Sequence, residues 1–371
     1  MIPIAQPIIN KEEINAVTEV LKSCLIAQGP KVEEFEHAFA EYIGTEYAIA
    51  VSSGTSALHI SLLANGIKKG DEVITTPFSF ISTANSILFT GATPVFVDIC
   101  EDTFNLNPEC ILEKITPKTK AILPVHLYGQ SADMSAIMEI AEDHKLSVIE
   151  DACQAHGATY KNKKVGSFGT GCFSFYPTKN IATGEGGMIT TNDQEINKSA
   201  RMIRNHGSKE RYLHEILGFN FRMTDIEAAI GIVQLKKLDT FNKIRQDNAK
   251  YLTYRLKDIN GIIIPVIKNN TNHVFHQYTI RVTEEFGISR DQLVKILNQN
   301  GIGTGVYYQI PIHKQPFYQK LGYKDSLPVS EKVAKQVISL PIHPNIKKED
   351  LDYICKTIYS YYEPYEIHRI L

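Results

Sequence analysis

The sequence predicts an α/β protein, with a large part built on a mostly parallel sheet and a smaller α+β part at the C-terminal end. Three observations carry this. Short apolar runs alternate with helical stretches through DEVITTP, STANSILFTG, TPVFVD, TKAILPVHLYG, MSAIMEIAEDHK and LSVIEDA, the pattern of β and α elements in sequence. The runs hold four or five apolar residues bounded by Gly, Pro and Asp, which suits strands buried on both faces. Beyond about residue 246 the order changes to a separate α+β pattern. A chain of 371 residues that is 43% hydrophobic can bury a large core, and its length suits roughly two domains. The expected division is 1–245, an N-terminal segment with the large domain, and 246–371, the small domain.

Residues 11–23 (KEEINAVTEVLKS) and 31–43 (KVEEFEHAFAEYI) show helical spacing of apolar positions. Ala48–Val51 then reads as a strand that runs through Ser52, Ser53 and Gly54 into a helix. Residues 224–257 read as one or two long helices, with apolar positions at Ile226, Ala229, Ile230, Val233, Leu235 and Leu238. In the C-terminal part GIIIPV, HQYTIRV and TGVYY suggest strands, while DQLVKILNQNG, SEKVAKQVISL and KEDLDYICKTIYSYY suggest helices.

Net charge is −2, from 39 basic and 41 acidic residues, and no charged block stands out. Nucleic acid and anionic membrane are therefore not expected as main partners. The six cysteines form no CxxC pair and read as scattered reduced thiols. The start, MIPIAQPIIN, has neither the charged beginning nor the apolar core of a signal peptide, and no run of about 20 apolar residues could span a bilayer. A cytoplasmic location is expected. No metal-binding spacing, no P-loop and no opening GxGxxG is present.

Two residues carry the chemistry. Lys179 lies in SFYPTKNIATGEGG, among aromatic, small and turn residues, and Asp151 ends the apolar run LSVIED. A lysine paired with a strand-end carboxylate is what pyridoxal phosphate requires. The amine holds the cofactor as a Schiff base, and the carboxylate keeps the pyridine nitrogen protonated. A carboxylate at a strand's C-terminal end faces the crevice where α/β sheets bind ligands, although such an Asp is also a common turn former. Glu150 alternates to the other side. Gln154 is placed to hydrogen-bond the ring. SSGTSA (52–57) suits a phosphate, since a helix start exposes backbone N–H groups there and Gly54 and Thr55 allow close approach and a hydroxyl; an ordinary helix cap is the alternative. Ser174 could face the same pocket. Phe80 either stacks on a flat ring or packs in the core. His126 and His156 stay unassigned.

The ordered series GP (29–30), FE (35–36), SSGTSAL (52–58), GDEVITTPFSF (70–80), GATPVFVDI (91–99), PVHLYGQSADM (124–134), VIEDACQAHGA (148–158), VGSFG (165–169), CFSFYPTKN (172–180), TGEGG (183–187), RNHG (204–207) and GFNFRMTDIEAA (218–229) resembles the DegT–StrS sugar aminotransferases over nearly the whole chain. The resemblance implies the fold type I, aspartate aminotransferase-like architecture and a homodimer with shared active sites. It implies that Lys179 is the Schiff-base lysine, Asp151 the pyridinium partner and Gln154 the ring contact. Gly54, Thr55 and Ser174 would form the phosphate cradle and Phe80 the stacking aromatic, while Asn220 would reach the phosphate of the other subunit. GIGTGVYYQIPIHKQPFY (301–318) resembles the sugar side of the pocket, with Gln309 where many relatives have proline. Tyr307, Tyr308 and His313 are the substrate-side candidates, or else pack a domain interface.

The expected reaction moves an amino group from glutamate to a nucleotide-linked keto sugar for glycan or polysaccharide synthesis, with a 3-keto acceptor favoured over a 4-keto one as used by perosamine synthase. Three rivals stand beside it. The sugar-dehydrating branch of the family has histidine at the lysine position. The others are a non-catalytic regulatory protein that binds pyridoxal phosphate and a dinucleotide-dependent oxidoreductase.

Overall fold

The structure is a computed structural model describing residues 1–367. Its main sheet has seven strands: β1 (Tyr47–Val51), β2 (Glu72–Thr75), β3 (Thr93–Phe96), β4 (Thr119–Leu123), β5 (Ser147–Asp151), β6 (Thr170–Ser174) and β7 (Gly187–Thr191). Their spatial order is β1-β7-β6-β5-β4-β2-β3. Strands β2 to β6 pair in parallel, and β7 runs antiparallel to both β1 and β6. Every residue of β6 and β7 is buried, which explains why neither strand shows alternation. The carboxyl ends of β1, β5 and β6 lie together at one edge of the sheet, and the chemistry gathers there.

Seven helices accompany this sheet: α1 (Lys11–Ser23), α2 (Pro30–Ile43), α3 (Gly54–Ala64), α4 (Ser82–Phe89), α5 (Met134–His144), α6 (Gln194–Arg204) and α7 (Asp225–Leu256). The spacing predicted α1 correctly, and α2 begins one residue before its predicted start. Phe35 and Phe39 of α2 meet Phe173 and Phe175 at centroid separations of 5.0 to 5.6 Å, so α2 buries its apolar face against the end of β6. Asp225, in the first turn of α7, crosses to α2 and accepts hydrogen bonds from the backbone N–H groups of Gly29 (2.8 Å), Lys31 (3.2 Å) and Val32 (3.0 Å). One carboxylate thus satisfies donors that the start of α2 would leave unpaired.

The stretch 224–257 forms a single helix of 32 residues, α7. Leu238 and Phe241 belong to the core around Phe35, whereas Ala249, Leu252 and Leu256 belong to a second core with Tyr278, Ile280 and Ile338. The division expected at residue 246 falls inside this helix. The N-terminus also crosses over, since Ile2 bridges Ile302. The second core is covered by β8 (Ile262–Ile263), β9 (Tyr278–Val282) and β10 (Val337–Leu340), with α8 (Arg290–Gln299) and α11 (Lys348–Ile367), while α9 (Pro316–Lys320) packs beside Phe96 and α10 (Pro328–Ala334) beside Phe78.

Three expected elements differ. SEKVAKQVISL is not one helix: α10 stops at Ala334, and Val337–Leu340 pairs antiparallel with β9. Arg290 donates from Nη1 to the carbonyls of Ala334 (3.1 Å) and Val337 (2.8 Å), capping the break. GIIIPV shortens to Ile262–Ile263, since Pro265 has no N–H for a ladder. TGVYY is not a strand; only Gly305 bridges, to Ser339, and the two tyrosines turn along a cavity wall.

Asp225→Ala removes an acceptor from three N–H groups and should lower stability by about 2 kcal/mol. Asp225→Asn, which keeps one carbonyl oxygen, should lose less. Urea midpoints of the two variants check this order.

Candidate active site

A cavity of about 630 Å³ opens at the carboxyl ends of β1, β5 and β6. Gly54, Thr55, Phe80, Asp151, Gln154, Ser174, Lys179, Tyr307 and Tyr308 all line it. Nine of the eleven residues singled out in the sequence therefore share one space.

Adjacent acids at the end of β5 face opposite ways, as a two-residue period requires. Glu150 is fully buried on the far side. Its Oε1 accepts from the N–H groups of Phe168 (2.8 Å) and Gly169 (2.9 Å), and its Oε2 from Gly166 N–H (2.8 Å) and His126 Nε2 (3.0 Å). The N–H of Ala132 donates to His126 Nδ1, so the ring proton sits on Nε2 and points at Glu150. Burial by itself would raise the Glu150 pKa, but His126 and the N–H groups of Gly169 and Gly166 hold it below the usual carboxylate value. His126 thus braces a loop and takes no part in the cavity.

Asp151 points into the cavity. Thr83 Oγ1 donates to its Oδ2 at 2.8 Å, and the Cys153 N–H donates to Oδ1 at 3.2 Å. These contacts fix the carboxylate plane, and each oxygen retains acceptor capacity.

Lys179 lies on the loop from β6 to β7. The ends of that loop are tied, because Phe175 N–H donates to Gly186 O (2.9 Å) and Thr183 N–H donates to Phe175 O (2.9 Å). Asn180 anchors the next position, donating from Nδ2 to Asn242 Oδ1 (2.7 Å) and Val274 O (3.1 Å). Burial pushes the Lys179 amine below the ordinary lysine value, partly opposed by Cys153 and Asp151.

The start of α3 forms a cradle opposite. Ser53 caps the helix through Ser56 N–H at 3.1 Å, and Thr55 Oγ1 donates to Ser82 Oγ at 2.9 Å. A Cβ on Gly54 would lie 2.6 Å from Ser174 Cβ and 3.0 Å from Cys153 Sγ. Only glycine allows the helix start to sit this close to the end of β6.

On the other side Gln154 accepts from Tyr128 N–H at 2.9 Å and donates to Tyr308 Oη at 3.1 Å. The Phe80 ring lies 6.5 Å from that of Tyr308, and the Tyr128 hydroxyl donates to the Tyr307 carbonyl.

Two expected site residues lie elsewhere. His313 is fully buried, with Nε2 3.1 Å from Glu331 Oε1 and its ring 6.3 Å from Phe96. The turn Ile312–Lys314 directs it inward, so it packs an interior contact and does not line the cavity. Asn220 is exposed outside the cavity. Its neighbours Phe219 and Phe221 stack at 4.9 Å and pack beside His59, an alternation that sends Asn220 and Arg222 to the other side. The sequence reading overlooked Thr83, Cys153, Tyr176, His276 and Gln277, which also line the cavity. For His276 and Gln277 the available signal was a polar pair directly preceding the apolar strand YTIRV.

The description "DegT/DnrJ/EryC1/StrS aminotransferase family" matches residues 7–359. The chain belongs to this family. Among its relatives is the spore coat polysaccharide biosynthesis protein SpsC of Bacillus subtilis (strain 168), 42% identical, with 96% of each chain covered. Another is the GDP-perosamine synthase of Caulobacter vibrioides, also 42% identical, with 95% of each chain covered. Among solved structures, S. venezuelae DesV in complex with a ketimine intermediate superposes with a TM-score of 0.91 at 40% identity, covering 95% of this chain and 94% of that one.

The protein is therefore a sugar aminotransferase-family enzyme of PLP fold type I. Its cofactor is pyridoxal phosphate, and solved family structures hold the pyridoxal and pyridoxamine forms. The cavity fits this group: the Gly54 cradle leaves room for a phosphate, and the half-buried Lys179 and the buried Asp151 carboxylate line the same space. Bound there, the cofactor supplies an aldehyde that carries nitrogen between substrates and a ring that withdraws electrons from the reacting carbon. Among the described residues no group of three or more His, Cys, Asp or Glu could hold a metal, and no helix is long and apolar enough to cross a membrane.

Gly54→Ala should fold yet retain the cofactor poorly, which the visible absorbance of the purified protein would report. A second prediction concerns the cofactor-free protein. Because Lys179 is depressed on folding, the unfolded chain binds more protons between that lowered value and the ordinary lysine pKa of about 10.4. Stability should rise with pH across that window. Lys179→Met should therefore be more stable than the parent near neutrality, and the gap should close as pH passes about 10.4, as urea midpoints at several pH values would show.

Proposed function

We propose that the enzyme moves an amino group from glutamate to a keto sugar carried on a nucleoside diphosphate, and that it works in the cytoplasm as a homodimer with shared sites. The observation that carries this reading is the single cavity in which Lys179 and Asp151 lie between the Gly54–Ser174 cradle and the aromatic wall of Phe80, Tyr307 and Tyr308. A 3-keto acceptor is favoured from the VYY and IPIH segments. Kinship with GDP-perosamine synthase supports the 4-keto alternative.

Each residue takes a role from its position. Thr55, Ser174 and the N-terminus of α3 bind the phosphate. Asp151, held by Thr83 and the Cys153 N–H, keeps a proton on the ring nitrogen. Gln154 orients the ring edge, and Phe80 covers a face. Lys179 Nζ first holds the cofactor; once released, it takes a proton from the donor carbon and returns one to the acceptor carbon. Its lowered pKa suits this work, since a neutral amine is the base. Tyr307 and Tyr308 meet the sugar. Asn220, turned outward beside Arg222, would reach the cradle of the partner subunit. The six free cysteines fit a reducing compartment. A lysine at 179, where the dehydrating branch has histidine, favours transamination.

Lys179→Arg should lower turnover by at least about 10²- to 10⁴-fold, the range for a positioned acid–base group. Incubating the holoenzyme with glutamate and a panel of 3-keto and 4-keto nucleotide sugars tests the substrate. A 3-amino product supports the reading, a 4-amino product transfers it to the alternative, and no amino sugar from any acceptor rejects both.

A further inference from the structure

His276 lines the cavity yet is only 5% exposed. Neither ring nitrogen has a hydrogen-bond partner, and Nδ1 is sealed from solvent, which leaves Nε2 facing the cavity. An imidazole this buried normally finds a partner, and a ligand in the cavity that His276 lines would supply one. Its surroundings indicate the charge of that ligand. Besides burial, the groups that act most strongly on His276 are all basic: Lys179 on the β6–β7 loop, Arg245 on α7, His156 after β5, and His273 on its own segment, while Asp151 and Glu185 line the same cavity.

Arg245 sharpens the point. It is buried, its Nη1 donates to the carbonyls of Phe275 (3.3 Å) and His276 (3.4 Å), and its Nε has no partner. No salt bridge to Arg245 occurs among the described residues. A buried guanidinium without a counter-ion is costly, and an anion bound close by would offset that cost. Asp151, held by Thr83 and the Cys153 N–H, is assigned above to the ring nitrogen of the cofactor, and phosphate is provided for at the start of α3. The remaining small anion in the reaction is a carboxylate of the amino donor.

We infer that His276 binds a carboxylate of the amino donor through Nε2–H, with Arg245 as a positioning residue that braces the His276 carbonyl and supplies fixed positive charge behind the ring. Burial and the neighbouring Lys179 and Arg245 hold His276 well below the usual histidine pKa, so the ring meets the ligand neutral, with a single N–H to donate. This rests on the reading of the protein as an amino-donor-using enzyme and adds a site for that donor.

The test uses holoenzyme carrying His276→Met or His276→Gln. Glutamate is read by the spectral change of the half-reaction, and glutarate, an unreactive dicarboxylate, by calorimetry. His276→Met should weaken both by roughly ten- to a hundredfold, the range for a hydrogen bond to a charged group. His276→Gln, which restores an N–H, should recover most of the loss, and KM for the keto sugar should stay within about twofold of the parent. Unchanged glutamate and glutarate binding in His276→Met, or a shift confined to the sugar KM, overturns the inference. Should the methionine variant not fold, the ¹⁵N imidazole signal of His276 in the unsubstituted holoenzyme decides: it moves on adding glutarate, or the inference fails. If glutamate does not react with the parent but glutarate binds through His276, the donor assigned above is wrong while the carboxylate site stands.

Discussion

The distance between the first turn of α3 and the end of β6 governs the site. Gly54 lets the helix start lie against Ser174 and Cys153, where a methyl group would sit 2.6 Å from Ser174 Cβ. That contact brings the N-terminus of α3, whose free N–H groups suit an anion, and the lysine loop to the same space. β6 continues into the loop bearing Lys179, and β5 beside it ends at Asp151. Cradle, amine and acid therefore share one scaffold of buried strands, and moving any one of them means moving the sheet.

The site also shows how one strand end can carry two acids of opposite purpose. Glu150 spends its acceptors on His126 and three loop N–H groups, while Asp151 accepts from Thr83 and one N–H and keeps a face to the cavity. The first fixes the loop 166–169 against β5. The second stays available to a ligand because the first makes its surroundings rigid. Low dielectric around both means that an unpaired charge would be expensive, and the structure pairs Glu150 internally and directs Asp151 at the cavity.

Much of this was legible in the sequence. Lys179, Asp151 and the Gly54 turn sit in local patterns whose chemistry is short-range: a strand end, a capped helix and a lysine among turn residues. α1 and α2 were legible because their apolar positions repeat with helical spacing. What stayed hidden depends on contacts distant in sequence. SEKVAKQVISL reads as helical by periodicity, and only Arg290, some 40 residues earlier, shows why it breaks. His313 sits in an aromatic, proline-rich segment like its cavity-lining neighbours Tyr307 and Tyr308, but a short turn directs it toward Glu331 instead. His276 precedes a plain β-strand, and its importance appears only once Arg245 and Lys179 are placed around it.

α7 runs unbroken through 32 residues, with no proline, and packs into both cores. At 1.5 Å per residue it forms a spar about 48 Å long. A jaw-like swing of the C-terminal unit would have to bend this rod or tear one core from it. The two cores that flank the Lys179 cavity therefore hang on one continuous strut, so a strain placed on either is carried to the other along the same backbone.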